Sequence, residues 1–241
     1  MLQRGASGDL NELEIPNADG PDLKLPDNSI RSGAVSVHFK NLQTAFIRHL
    51  ADADAVVSCM AWLTNPAILK AFSRLKHGAN IVVQKEDFLR PDIASRNNFA
   101  KRLQKDYSAI PQLSCRYALK FVADLSVCHD PAIEAVRCVG NHNRTKSPAF
   151  PRMHNKFVVF MKATVRECRP YGSNTRYDPY AVWTGSFNFS ENGSKSLENA
   201  LYIRDKIIAE AYYDEWSHIV ALSEPLNWED PWCAPEWRLG T

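Results

Sequence analysis

The chain has 241 residues, 45% of them hydrophobic, enough to bury a full core in one large domain. A formal net charge of +2 does not by itself identify a polyanionic partner, although such a partner needs only a local basic patch. No window approaches the roughly 18–20 consecutive apolar residues of a membrane span, which excludes a protein threaded through a bilayer by apolar helices.

Residues 1–28 are rich in Gly, Pro, Asn and Asp without a sustained period and read as a flexible or surface-wrapping arm. The arm has no apolar signal region and the six cysteines are scattered, so a reduced, cytoplasmic protein is expected. AVSVHF (34–39) predicts a strand, and NLQTAFIRHLADA after it places Leu42, Ala45, Phe46 and Leu50 on one helical face. AVVSCMAWLT (55–64) is a continuous apolar run, as in a strand covered on both faces. In TNPAILKAFSRLKHGANIVVQ, Asn65 can cap a helix and Pro66 suits its first position. Ile68, Leu69, Phe72 and Leu75 form the apolar stripe, and Gly78 ends the helix before the next strand. Such a strand–helix–strand unit has a right-handed crossover and parallel strands. The expected fold class is therefore α/β, with a mixed, mostly parallel central sheet flanked by helices on both faces.

Residues 91–108 read as a polar surface helix and LSCRYALKF (113–121) as a strand. Periodicity then fails over about 122–150, returns for the strand containing KFVVF, and fails again over 162–179, giving two expected irregular insertions. YAVWTGSFNF and ALYI read as strands and DKIIAEAYYDEWSHIVAL as an amphipathic helix. The expected organisation is an arm at 1–28, a catalytic domain at 29–224, and a Trp-rich tail at 225–241 that docks on the body or on a regulatory protein partner.

Two stretches carry chemistry. MHNKFVVF (153–160) sets His154 and Lys156 two apart at the head of an apolar run, and GSFNFSENGSKSLEN supplies Ser186, Asn188, Glu198 and Asn199. An imidazole can attack or shuttle protons, a cation and an amide can hold phosphate oxygens, and a carboxylate can orient the imidazole. Singly, each has a plainer role: a strand-edge lysine is usually solvated, and GS before FN is an ordinary turn. The conjunction is what points to phosphoryl transfer without a metal.

H-x-K before an apolar strand, followed by G-S-x-N and E-N, resembles the phospholipase D superfamily, whose signature is H-x-K-x4-D with G-S-x-N. TGSFNFSENGSKSLENALYI is most similar to its single-motif, bacterial-type nuclease branch. The resemblance is specific over about 153–204 and agrees with the strand–helix order from 34 to 86. It implies a phospholipase D-like fold in which His154 is the nucleophile that forms a covalent phosphohistidine. Lys156 and Asn188 would bind the non-bridging oxygens, and Ser186 and Glu198 would support the histidine. Members of the superfamily need a second histidine to protonate the leaving oxygen, and this chain has one H-x-K, so the resemblance implies a homodimer with two copies of His154 facing each other. The signature aspartate falls on Met161, for which Asp178 in the following insertion is the candidate replacement.

The resemblance also implies a metal-independent endonuclease acting on DNA or RNA, with no cofactor required for catalysis. Arg152 and Lys195 are candidate substrate-binding residues, accompanied by Arg144, Lys146, Lys162, Arg166, Arg169 and Arg176 with Phe150, Tyr171, Tyr177 and Tyr180 interleaved. Cations for phosphate and aromatics for unstacked bases suit single-stranded nucleic acid. Two other readings stand beside this one: a phosphodiesterase acting on a cardiolipin-type phospholipid, and a catalytically weak nucleic-acid-binding relative crippled at Met161. Cys128, Cys138 and His142 are compatible with a structural zinc, with Cys115 and His129 nearby, although no C-x2-C pair is present.

Overall fold

In a computed structural model of the chain, the residues described are 8–89, 98–113, 134–140, 151–167 and 173–226. Within the arm, β1 (Glu14–Ile15) and β2 (Leu23–Lys24) pair antiparallel. Asn11 Nδ2 donates to the carbonyls of Ser194 and Ser196, 3.3 Å each, so this part of the arm lies against the body.

The sheet begins with β3 (Ile30–Ser32) and β4 (Val35–His38), which pair antiparallel. Helix α1 (Leu42–Ala51) buries Leu42, Ala45, Phe46 and Leu50, the face its periodicity requires. Strand β5 (Ala55–Met60) is buried at every position. The Asn65 side chain opens α2 (Pro66–Phe72) by accepting from the N–H groups of Ala67 and Ile68, 3.0 and 3.2 Å. Gly78, at φ +84°, turns the chain into β6 (Ala79–Gln84), and a Cβ there would overlap the Pro111 carbonyl. Next come α3 (Asn98–Ser108), β7 (Val136–Val139), β8 (Lys156–Glu167), β9 (Ser173–Gly185), α4 (Glu191–Lys195), β10 (Ala200–Ile203), α5 (Lys206–Ala221) and β11 (Glu224–Pro225).

Nine strands form one mixed sheet in the order β11-β7-β6-β5-β8-β9-β10-β4-β3. Helices cover both faces, as expected. Leu69, Phe72, Leu103 and Tyr107 from α2 and α3 join α1 and one sheet face, and Ala209, Trp216, Ile219 and Val220 from α5 cover Val57, Val159 and Val182 on the other. The expected preponderance of parallel strands is corrected. Among the strands of the described residues only β5–β6 and β6–β7 are parallel, while β8 pairs antiparallel with both β5 and β9, and the remaining strand pairs are antiparallel too. A parallel pair needs a crossover through the opposite face, and an antiparallel pair followed by a short return fills the later half of the sheet instead.

The second expected insertion, 162–179, is also corrected. Residues 162–167 of β8 and 173–179 of β9 pair as an antiparallel ladder, with Lys162 opposite Asp178 and Glu167 opposite Ser173. Pairing of β8 with β5 ends at Met161, so beyond it the ladder stands as two strands, with Val165 66% exposed and little apolar alternation. A bulge between Phe160 and Met161 marks that departure, beside Pro179, which has no N–H for a ladder. The polar helix expected at 91–108 is described from Asn98 and is amphipathic, burying Ala100, Leu103 and Tyr107. Apart from Leu113, the strand expected at 113–121 lies outside the described residues, as do most of the first insertion and the tail from 227 onward.

Candidate active site

The strand order brings the two chemical stretches to one end of the sheet. Lys156, the first residue of β8, is opposite Met60, the last of β5, and Phe157 is opposite Thr184 near the end of β9. Ala200, which opens β10, is opposite Gly185, which closes β9. The segment before β8 is anchored on both sides of His154: the Met153 N–H donates to the buried Gln84 side chain at 2.7 Å, and the Asn155 carbonyl accepts from Ala61 N–H at 2.9 Å. His154 is thus an exposed side chain on a backbone fixed by the ends of β5 and β6.

Lys156 is 8% exposed, and its Nζ lies 3.1 Å from both ring nitrogens of His154 and 3.0 Å from the His154 carbonyl oxygen. Partial burial holds the His154 pKa below the ordinary histidine value, and the positive charges of Lys156 and Arg152 lower it further. Burial likewise lowers the Lys156 pKa, while the charge of Glu198 opposes that effect. The result favours a neutral imidazole beside a cation. Trp62 meets His154 edge to face, with ring centroids 5.4 Å apart, and its indole N–H donates to Glu86 at 3.2 Å. Arg152 pairs with the same carboxylate at 3.7 Å and stands 5.9 Å from the Trp62 ring centroid.

Ser186 and Asn199 lock the β9–β10 connection. Ser186 Oγ donates to Asn199 Oδ1 at 2.9 Å and accepts from Asn199 N–H at 3.0 Å, so the serine is spent on this lock. Gly193 brings α4 against the carbonyl of Asn188, a space a Cβ would overlap. Ser190 Oγ accepts from Gly193 N–H at 3.0 Å and fixes the same turn. The Asn188 Oδ1 atom is buried without a hydrogen-bond partner among the described residues. Asn188 and Glu198 border a cleft of about 380 Å³ that also takes in Trp62, Phe88 and Phe99.

Other candidates fall elsewhere. Met161 is fully buried among Ala55, Val57, Val159 and Trp216. Asp178 pairs with Arg176 at 2.6 Å far along the ladder and does not reach His154. Lys162 Nζ lies 4.0 Å from the Asp54 carboxylate, six residues down β8 from Lys156, or about 20 Å at the usual strand rise. Tyr177 and Tyr180 pack against the two cores instead of lining the cleft. Arg152 does stand beside His154, and Lys195 is exposed on α4. Cys138 is a buried free thiol, its pKa raised by burial and by Glu224, 3.8 Å away. Cys115, Cys128, His129 and His142 lie outside the described residues, among which no metal-ligating cluster is found. Arg144, Lys146, Phe150, Arg169, Tyr171 and the Arg166 side chain are likewise outside them. No described helix is long and apolar enough to cross a membrane.

Trp62, Gln84 and Glu86 were not legible as site residues. Each sits at or just past the end of a buried apolar strand, and a tryptophan or a polar residue closing such a run is the only sequence signal they offer.

No family model matches the chain. It is 30% identical over 234 residues to "Uncharacterized protein L381" of Acanthamoeba polyphaga mimivirus, an alignment covering 91% of this chain and 74% of the viral protein. Among solved structures it is similar to NucT from Helicobacter pylori, with a TM-score of 0.49 at 11% identity over 79% of this chain and 98% of that one. A phospholipase D family member, Nuc from Salmonella typhimurium, gives a TM-score of 0.46 at 15% identity over 79% of this chain and 96% of that one.

Proposed function

We propose that this chain, which belongs to one family with the mimivirus protein L381, is a metal-independent phosphodiesterase of the phospholipase D type that cleaves nucleic acid through His154. One observation carries the reading: an exposed imidazole held neutral, with the Lys156 ammonium 3.1 Å from its ring nitrogens and its ring against Trp62, a residue of the cleft lining. A ring nitrogen of His154 attacks phosphorus and the P–O bond to the leaving group breaks, giving a phosphohistidine. Lys156 and an amide hydrogen of Asn188 hold the non-bridging oxygens, where negative charge concentrates in the transition state. The leaving oxygen takes a proton from a second histidine. That histidine, now neutral, draws a proton from a water as the water attacks phosphorus, which breaks the P–N bond to His154 and releases the remaining strand with a terminal phosphate. The sequence has one H-x-K, so the working unit is a homodimer in which His154 of the second copy acts in its protonated form, a form favoured once the negatively charged phosphodiester lies between the two imidazoles. Glu198 acts on this arrangement through the charge it exerts on Lys156, and Ser186 through the backbone lock with Asn199.

The reading is tested by incubating the protein in EDTA with single- and double-stranded DNA, with RNA and with cardiolipin vesicles, alongside His154→Ala. Nucleic-acid cleavage that survives EDTA and is abolished in the variant is expected. Equal cleavage by both proteins, or a requirement for added magnesium, would falsify the mechanism, and cleavage of the lipid alone would move the enzyme to a different substrate.

A further inference from the structure

The cleft beside Asn188 has a wall for which the phosphoryl chemistry has no use. Trp62, Phe88 and Phe99 contribute three aromatic rings to a lining that also includes Asn188, Asn192 and Ser196. Phe88 and Phe99 are half-buried and meet edge to face, with centroids 5.8 Å apart at 81°, so each ring fixes the other. The Arg102 guanidinium stands 5.5 Å from the Phe99 centroid, and Arg152 and Lys156 each stand 5.9 Å from that of Trp62.

A groove for an acyl chain needs apolar groups all round. This one combines the rings with the amides of Asn188 and Asn192, the hydroxyls of Thr64, Ser190 and Ser196, and the Glu198 carboxylate. A flat ligand with an aromatic face and a polar edge satisfies both kinds of group at once. Its volume of about 380 Å³ is at the small end for ligand sites. Asn188 belongs both to the cleft and to the phosphate-holding set, so whatever fills the cleft is joined closely to the reacting phosphate. We propose that this cleft is a subsite for one unstacked nucleobase adjoining the scissile phosphate, which makes single-stranded nucleic acid the substrate. The inference rests on the phosphodiesterase reading above.

The test uses the full chain and two strands of equal length and equal phosphate number, one carrying bases and one made of abasic tetrahydrofuran units. In a His154→Ala background, the base-bearing strand is expected to bind more tightly. Adding Phe99→Leu, which keeps apolar bulk and removes the π face, should weaken that strand about 5- to 100-fold, the range for loss of one base–aromatic stack. The ratio between the two strands should fall toward one. Phe99→Tyr, which keeps the ring, should hold the ratio near that of the parent, a rescue that a purely structural role does not predict. If the parent binds both strands alike, or if Phe99→Leu leaves the ratio unchanged, the subsite is wrong. Cleavage in EDTA separates this failure from that of the underlying reading. An enzyme that cuts the abasic strand as well as the base-bearing one is a phosphodiesterase without the subsite, and one that cuts neither overturns the phosphodiesterase reading itself.

Discussion

Lys156 Nζ lies 3.1 Å from both ring nitrogens of His154, and in the proposed reaction it also holds a phosphate oxygen. Because its charge and that of Arg152 add to burial in lowering the His154 pKa, the acid limb of kcat/KM is expected below the pH at which an ordinary histidine loses its proton. Lys156→Gln removes one of the two charges and leaves burial in place, so the limb should move up in pH without reaching the ordinary value. At the optimum, kcat/KM should fall about 10²- to 10³-fold, as when one oxyanion donor is deleted. A pH–rate profile whose acid limb stays put on this substitution means that another group is titrating. Met161 poses the opposite question at the same scale, because the superfamily signature calls for a carboxylate where this chain buries a thioether completely. Met161→Asp would place an unpaired carboxylate among Ala55, Val57 and Trp216, at a cost of several kcal/mol. Met161→Leu, which conserves volume, should cost less than about 1.5 kcal/mol. Urea denaturation of the two variants checks this, and equal midpoints would show that the pocket admits a charge.

Between residue and fold stands the connection from β9 through α4 to β10, which delivers Asn188 and Glu198 to the end of β8. Its tightest point is Gly193, where a Cβ would overlap the Asn188 carbonyl. Gly193→Ala is therefore expected to displace Asn188 by some tenths of an ångström to an ångström and to lower kcat/KM about 10- to 100-fold. A crystal structure of the variant with Asn188 unmoved, or unaltered kinetics, would contradict this. The legibility of each element follows from what surrounds it. Strands β5 and β6 and helix α2 could be read because burial on both faces and the Asn65–Pro66 cap leave local marks in sequence. The outer β8–β9 ladder could not, since beyond the pairing with β5 its described positions are partly or fully exposed and carry little of the apolar alternation that identifies a strand. The site divides in the same way. His154, Lys156 and Asn188 stand in compact motifs, whereas Gln84 and Trp62 reach the Met153–His154 segment only because β5 and β6 lie where they do in the strand order, a non-local outcome.

At the scale of the whole molecule, α1 is fastened to the sheet through aromatic stacking that includes two histidines. His49 stacks on Tyr202 of β10 with ring centroids 3.6 Å apart and planes 8° from parallel, and His38 of β4 stacks on Trp183 of β9 at 5.3 Å. Burial lowers the His49 pKa from 6.5 to about 4, with smaller contributions in the same direction from His38 and Arg48, and Asp52 opposing. Burial is also the leading cause of the lowered His38 pKa. Both groups fold in the neutral form, so between pH 6.5 and about 4 the unfolded chain binds protons that the native chain refuses. Stability is therefore full above the unfolded pKa and falls with pH through that window. Glu134, raised by burial to about 7, and His154, also lowered, titrate in the same interval, so the His49 contribution is read from the difference between wild type and variant. His49→Phe keeps a flat ring against Tyr202 and removes the titration. Urea denaturation at pH 6.5 and pH 4.5 is expected to show a clear drop in midpoint for the wild type and a distinctly smaller one for His49→Phe. Equal drops in the two proteins would mean that the acid sensitivity of the fold arises elsewhere and that His49 is not kept neutral by the layer between α1 and the sheet.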